Sequence, residues 1–255
     1  MNLPMKPKQS NSPARFQLPS VAFFGRTMTE YLQMLALDQG QLRGLAILDV
    51  ASGPGSFVAE SLAVGLDVTG CDPLYDGDPE KITAQGNADI DACREQIRRN
   101  PEVLLYADIE TFYRDKYTAL ERFAADFTTR RNEVRYVAGA LPSLPFADTS
   151  FDLVLTANLL MVYAPLEDGG MSQGTDFGLE FHLSAVEELA RVTKSELRIS
   201  GMHTWKHPPE RHPYCHPMVN RLEELGMRAE LVQSHYDDGC SITNPACNQV
   251  LVARR

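Results

Sequence analysis

The feature that most limits what this chain can fold into is the run Ile47-Leu48-Asp49-Val50-Ala51-Ser52-Gly53-Pro54-Gly55-Ser56-Phe57. Residues 45–48 form an apolar stretch too short for a typical helix, which reads as a buried strand ending at Asp49. The turn that follows carries two glycines, which let the backbone bend sharply and approach a ligand closely. Phe57, Val58, Leu62 and Ala63 then recur as a helix does, up to Gly65, and residues 67–71 make a second short strand ending at Asp72-Pro73. Strand, glycine turn, helix, strand is a βαβ unit, and it implies parallel strands with a right-handed crossover. Asp49 and Asp72 both fall at the carboxyl edge of such a sheet, where ligands of doubly wound folds bind. A glycine turn also serves structure alone, so the motif gains force only from its context.

The rest of the chain extends this pattern. Residues 21–39 read as a leading helix, with Phe24, Met28, Tyr31, Leu32, Leu35 and Leu37 near one face. Strands are expected at 135–138, 151–157, 196–200, 229–235 and 249–253, the last ones close enough in sequence to pair antiparallel. Helices are expected at 181–193 and 219–226, the latter closed by Gly226. Residues 74–132 differ in character, being rich in charge and poor in strand signals, with helices expected at 89–99 and 105–130. That is more than a crossover needs. The predicted fold class is therefore α/β, a Rossmann-like, doubly wound, mostly parallel seven-stranded sheet with a helical insertion. Residues 1–20 read as a loose tail without the apolar core of a signal peptide, and 21–255 as one domain carrying the insertion at about 74–132.

At this point the sequence resembles the class I S-adenosylmethionine-dependent methyltransferases, in particular the type 11-like group. The glycine segment from Leu48 to Gly55 is similar to their cofactor motif. Gly70-Cys71-Asp72 is similar to their ribose-binding acidic position. Leu141-Pro142-Ser143-Leu144-Pro145-Phe146-Ala147-Asp148-Thr149-Ser150-Phe151-Asp152 is similar to the segment before their fourth strand. The resemblance implies S-adenosyl-L-methionine as cofactor, with S-adenosyl-L-homocysteine as product. It implies cofactor roles for Asp49, Ala51, Ser52, Gly53 and Gly55 around the methionine part, for Asp72 at the ribose, and for Ala140 and Leu141 at the adenine. Asn158 would face the methyl group, and Arg26, on the leading helix, would reach the cofactor's carboxylate. Two positions depart from the family pattern: Ala51 stands for its first glycine, and Ala140 for the acidic residue that often accepts the adenine amino group.

Methyl transfer from a sulfonium is an in-line displacement for which the protein mainly supplies alignment and desolvation. No universal catalytic residue follows, and none is assigned. Substrate candidates come from the loop after the fourth strand, residues 161–180, which holds Tyr163 and whose Gly169, Gly170, Gly174 and Gly178 would suit a flexible lid. Others come from the segment 203–216. Its His203, His207, His212, Cys215 and His216 are five potential zinc ligands, but their spacing matches no standard template and prolines interrupt them, so no metal is assigned. His203 and Tyr214 are kept as acceptor contacts.

Composition narrows the partners. With Lys plus Arg at 24 against Asp plus Glu at 34, the formal net charge is −10, which weighs against nucleic acid. The five cysteines are scattered and odd in number, which suggests reduced thiols and a cytoplasmic location. No apolar run is long enough to span a membrane. The expected activity is methyl transfer to a small-molecule acceptor that the sequence does not name; oligomeric state is open. The competing readings are an NAD(P)-dependent oxidoreductase, for which the full Gly-x-Gly-x-x-Gly is absent because position 58 is Val58, and a non-catalytic S-adenosylmethionine-binding regulatory protein.

Overall fold

The computed structural model describes residues 21–99, 109–130, 133, 135–173, 176–206, 208–236 and 247–255. The expected tail, the start of the second insertion helix at 105–108, His207 and Gly174 lie outside the described residues.

The βαβ unit forms as its pattern dictates. Strand β1 (Ala46–Val50) is followed by helix α2 (Phe57–Ala63) and strand β2 (Asp67–Cys71), and β1 and β2 pair in parallel. Four of the five β1 residues are buried, the pattern of a parallel strand covered on both faces. Strands β3 (Tyr136–Val137), β4 (Phe151–Thr156), β5 (Thr193–Ile199), β6 (Arg228–Gln233) and β7 (Gln249–Arg254) complete a seven-stranded sheet in the order β3-β2-β1-β4-β5-β7-β6. Strands β1 to β5 pair in parallel, and β7 runs antiparallel between β5 and β6. The chain moves outward from β1 in both directions, so a crevice opens at the carboxyl ends of β1 and β4.

Alternate residues of the strands feed two cores. Ile47, Val68, Leu153, Leu155 and Val252 face one side, where helix α1 (Met28–Met34), α2 and the insertion helices pack. Leu48, Val50, Val154, Leu197 and Leu251 face the other, against helices α6 (Leu179–Val192) and α7 (Cys215–Glu224). The insertion holds helices α3 (Pro79–Arg99) and α4 (Ile109–Arg130). Phe123 and Phe127 of α4 join Tyr75 and Tyr136 in an aromatic cluster with ring centroids 5.1–5.8 Å apart.

Three helix starts within the described residues differ by four residues or more from the sequence reading, each for a local reason. The leading helix does not run from 21; it begins at Met28, because Thr27 and Glu30 form a reciprocal cap. The Glu30 N–H donates to Thr27 Oγ1 (3.3 Å), and the Thr27 N–H donates to Glu30 Oε2 (2.8 Å). Residues 21–26 precede this helix without regular secondary structure. Helix α3 starts ten residues earlier than expected, at Pro79, a residue suited to the first helical position, with Asp78 Oδ1 accepting from the Lys81 N–H (3.0 Å). Helix α7 starts at Cys215 and tolerates Pro217 because an N–H in the first turn has no partner to lose. A short helix after β4, α5 (Leu159–Val162), was not anticipated.

Candidate functional site

The turn after β1 is fixed from beneath. Ala51 and Gly53 take positive φ, 57° and 52°, and the chain curls into a concave loop. Asp49 sits fully buried under it. Its carboxylate accepts from Ser52 Oγ (2.6 Å) and from the Tyr31 hydroxyl (3.2 Å). Burial pushes the Asp49 carboxyl up to about 7, against the pull of those two hydroxyls. The Tyr75 hydroxyl donates to the Gly53 carbonyl (2.6 Å), and the Ser56 N–H to the Arg26 carbonyl (2.9 Å). Segment 21–26 lies so close that a Cβ on Gly25 would stand 2.1 Å from the Pro54 carbonyl oxygen. Only glycine fits there, and it locks the leading segment onto the turn.

Asp72, one residue beyond β2, faces the same loop. It accepts from the Gly53 N–H (3.1 Å) and the Leu74 N–H (3.0 Å). Burial raises its carboxyl to about 6, partly offset by the two N–H groups. Each carboxylate oxygen keeps a lone pair beyond the one used, which suits a pair of vicinal hydroxyls.

Asp72 and the turn line a cavity of about 330 Å³, inside the range of roughly 300–1,000 Å³ usual for small-molecule sites. It opens at the carboxyl ends of β1, β2 and β4. Of the residues expected from sequence, Arg26, Ala51, Ser52, Gly53, Asp72, Ala140, Leu141, Asn158 and Tyr163 line it. Asp49 and Gly55 do not; they build the turn from behind. Asn158 holds a left-handed backbone, φ 63°, at the start of α5.

His203 and Tyr214, expected as acceptor contacts, do not line this cavity. Tyr214 turns its hydroxyl onto the Asp168 carboxylate and packs edge-on between His182 and His212. His203 is buried beside the Trp205 ring, 5.0 Å between centroids, and lines a separate small cavity of about 20 Å³ that shares Arg26, Asn158 and Trp205 with the main one. The His203–His216 segment does not converge. His212 is buried and driven down to about 4 by that burial and by His182, His216 is exposed, and Cys215 donates its thiol to the Met202 carbonyl (3.2 Å). Among the described residues no three His, Cys, Asp or Glu side chains group as metal ligands would.

The loop after β4 is also better packed than its glycines imply. A Cβ on Gly170 would lie 1.9 Å from the Ala164 carbonyl oxygen, and one on Gly169, at φ 110°, would lie 2.7 Å from Thr204. These glycines permit close approach rather than mobility. Tyr163, expected as a substrate contact, uses its hydroxyl on the backbone of Ala22, accepting from the N–H (3.1 Å) and donating to the carbonyl (3.2 Å). It ties segment 21–26, part of the cavity wall, to the loop after β4.

Arg26 reaches the cavity from a charged knot. Its guanidinium lies 3.6 Å from Glu30 and 5.6 Å from the Phe112 and Tyr236 ring centres. Lys116 of α4, fully buried, pairs with the same Glu30. Burial alone would raise the Glu30 carboxyl, but Lys116 and Arg26 hold it near 2.

Sequence reasoning missed several wall residues: Phe24, Cys93, Ile97, Phe112, Tyr113, Phe177, Phe181 and Trp205. Phe112 and Tyr113 fall in the insertion helix expected at 105–130. The lone tryptophan was the available signal for a wall, since its ring pairs a large apolar face with one N–H donor.

No protein-family model matches the chain. An uncharacterized protein of Methanocaldococcus jannaschii is 27% identical over 186 residues, 71% of this chain and 78% of that protein. Among solved structures, the chain is similar to magnesium protoporphyrin IX methyltransferase of Synechocystis, with TM-score 0.45 and 15% identity, over 89% of this chain and 77% of that one. It is similar to a possible histamine N-methyltransferase of Thermotoga maritima, with TM-score 0.44 and 12% identity, over 88% and 87%. It is also similar to 1,6-didemethyltoxoflavin-N1-methyltransferase of Burkholderia thailandensis, with TM-score 0.40 and 14% identity, over 85% and 76%. Likenesses this distant leave the functional reading to the strand order and the cavity themselves. Among the described residues no helix is long and apolar enough to cross a membrane.

Proposed function

We propose that the chain is an S-adenosylmethionine-dependent methyltransferase acting on a small-molecule acceptor. The observation that carries this reading is the position of Asp72. A carboxylate at the end of β2 is hydrogen-bonded to a left-handed turn after β1, and both line a cavity at the point where the strand order reverses. In doubly wound sheets that is where a nucleoside's ribose is held. The sharp motifs of the sequence converge there: the turn 50–53, Asp72, and residues 139–141 all line one cavity.

The residues present fit such a cofactor. Asp72 would accept both ribose hydroxyls. Ala140 and Leu141 would border the adenine, with backbone groups in place of the acidic side chain absent at 140. The backbone of 51–53 and the Arg26 guanidinium would hold the amino-acid end, and Asn158 would stand by the reacting carbon. When bound, S-adenosylmethionine supplies a methyl group already activated on a sulfonium. The chain's part is to align the acceptor with it and to keep water out, a task suited to the tie of Tyr163 to segment 21–26. Helices α3 and α4 would act as the cap over the acceptor.

A thermal-shift series with S-adenosylmethionine, S-adenosylhomocysteine, NAD and NADP tests the class of ligand. Either sulfur nucleoside is expected to raise the melting temperature, as any ligand of the native state does. Stabilisation by NADP and by neither sulfur nucleoside would overturn the reading.

A further inference from the structure

Arg26 links the cavity to a buried charge group that methyl transfer itself does not use. The Arg26 side chain is 12% exposed and lines the cavity, while those of Glu30 (8%) and Lys116 (0%) are more deeply buried. One oxygen, Glu30 Oε1, serves both cations. Arg26 Nη1 stands 3.6 Å from it, Lys116 Nζ contacts it, and the Tyr236 hydroxyl donates to it (3.0 Å). The cations also share the Phe112 ring, with Arg26 Cζ 5.6 Å and Lys116 Nζ 4.7 Å from its centroid. Among the described residues, two positive groups are thus held together around one buried carboxylate, where water screens them little. The other charge acting on Lys116 is Asp115 of its own helix, which also faces Arg114 (3.5 Å). A guanidinium keeps its proton in any protein, so the looser proton of the group is the one on Lys116. Burial, and then Arg26, bring that ammonium down to about 7 against the pull of Glu30 and Asp115.

We infer that Lys116 takes up a proton from solvent when a carboxylate binds against Arg26, so that filling the cavity and charging α4 are coupled. This deepens, and rests on, the methyltransferase reading, in which the amino-acid end of the cofactor comes to Arg26. A carboxylate there adds a second negative charge to a group with two cations. It offsets the repulsion that Arg26 exerts on Lys116, and the ammonium becomes the favoured form.

The step is a proton transfer alone. The Lys116 nitrogen lone pair forms the new N–H bond, buffer or water gives up the proton, and nothing is oxidised or reduced. The proton has a structural effect, because Lys116 charged is the partner that Glu30 needs. Uptake strengthens the ion pair that joins α1 to α4, whose Phe112 and Tyr113 line the cavity. The sign of the linkage follows. The filled protein holds the proton more firmly than the empty one, so affinity for the carboxylate falls as pH rises above about 7.

Calorimetric titration of the full-length chain in buffers of different ionisation enthalpy counts the protons. The probes are S-adenosylhomocysteine and 5′-methylthioadenosine, which keeps the adenosine but carries no carboxylate. Asp49 and Asp72 titrate nearby, but both probes bring the same ribose, so their share cancels in the difference. With the proton held about tenfold more firmly in the filled protein, S-adenosylhomocysteine takes up about half a proton more than 5′-methylthioadenosine at about pH 7.5. Its affinity then falls about fourfold between about pH 7 and about pH 8.5. Lys116→Met leaves Glu30 to Arg26 and Tyr236. It is expected to bind S-adenosylhomocysteine more weakly at about pH 7, with neither the extra uptake nor the fall. The two probes compared on wild type need no variant, and they decide the matter should Lys116→Met fail to fold. Equal proton uptake with the two probes, or the same uptake in Lys116→Met as in wild type, would overturn the inference. Failure of S-adenosylhomocysteine to bind the wild-type chain would instead refute the methyltransferase reading, which keeps the two failures apart.

Discussion

Ala51 holds the left-handed conformation, at φ 57°, where its Cβ crowds the backbone. That region costs a non-glycine residue about 1–2 kcal/mol, and it persists here because Ser52 is bonded on both sides of it, by its hydroxyl to Asp49 and by its N–H to the Cys71 carbonyl (3.2 Å). Ala51→Gly relieves the strain, less about 0.5–1 kcal/mol for the freer unfolded chain. The variant is expected to be more stable by about 0.5–1 kcal/mol, read as a higher urea midpoint at unchanged slope. A lower midpoint would mean the methyl group packs more usefully than its strain harms. Asp49, beneath the same turn, predicts a pH effect. Its folded pKa of about 7 lies above the ordinary 3.8, so the folded chain retains a proton that the unfolded chain has lost. Stability therefore falls as pH rises from about 4 to about 7. Asp49→Asn should remove that part of the pH dependence; Asp72, whose folded pKa is about 6, adds to the fall in both proteins, and His212, held down to about 4, opposes it in both. Unfolding free energies of the two proteins across that range check it.

At the scale of elements, one buried charge group joins α1 to α4. Glu30 completes the cap of α1 and also receives Lys116 from α4, with Arg26 alongside. Burial depresses the Lys116 ammonium to about 7, with Arg26 adding to the effect and Glu30 opposing it. Glu30→Gln leaves the buried Lys116 ammonium without its carboxylate partner, a loss of about 3–5 kcal/mol. The sign of its pH dependence follows. Above about pH 7 Lys116 can give up its proton and no longer needs a partner, so the destabilisation should shrink as pH rises from about 6 to about 9. Melting temperatures of wild type and variant across that range measure it; an unchanged difference would show that Lys116 stays charged. This knot was not legible in the sequence, where Glu30, Arg26 and Lys116 are separated by up to 90 residues and look like ordinary surface charges. The starts of α1 and α3 were readable in principle, from Thr27-x-x-Glu30 and Asp78-Pro79, yet the apolar period of 21–39 and the low hydrophobicity of 79–88 hid them.

For the whole molecule, the sheet was the most legible part, because strands covered on both faces must read as short apolar runs, and all seven expected strands are found with β7 antiparallel. The part of the cavity wall at the strand ends was legible for the same reason: short motifs at strand ends converge wherever the sheet is parallel. The rest of the wall was not. It is assembled from segment 21–24, from the insertion and from residues 177–205, and only tertiary packing brings these together. His203 and Tyr214, picked for polarity in a loop, lie outside the main cavity, His203 lining the small one beside it. The central claim is that the carboxylate of Asp72 holds a sulfur nucleoside in this cavity. Calorimetric titration of wild type and Asp72→Ala with S-adenosylhomocysteine tests it most directly. Two charge-assisted hydrogen bonds, at about 1.5–3 kcal/mol each, imply a loss of affinity of about a hundredfold or more in the variant. Saturable binding in wild type with that loss is the expected result; no binding in wild type, or equal affinity in Asp72→Ala, would contradict the account.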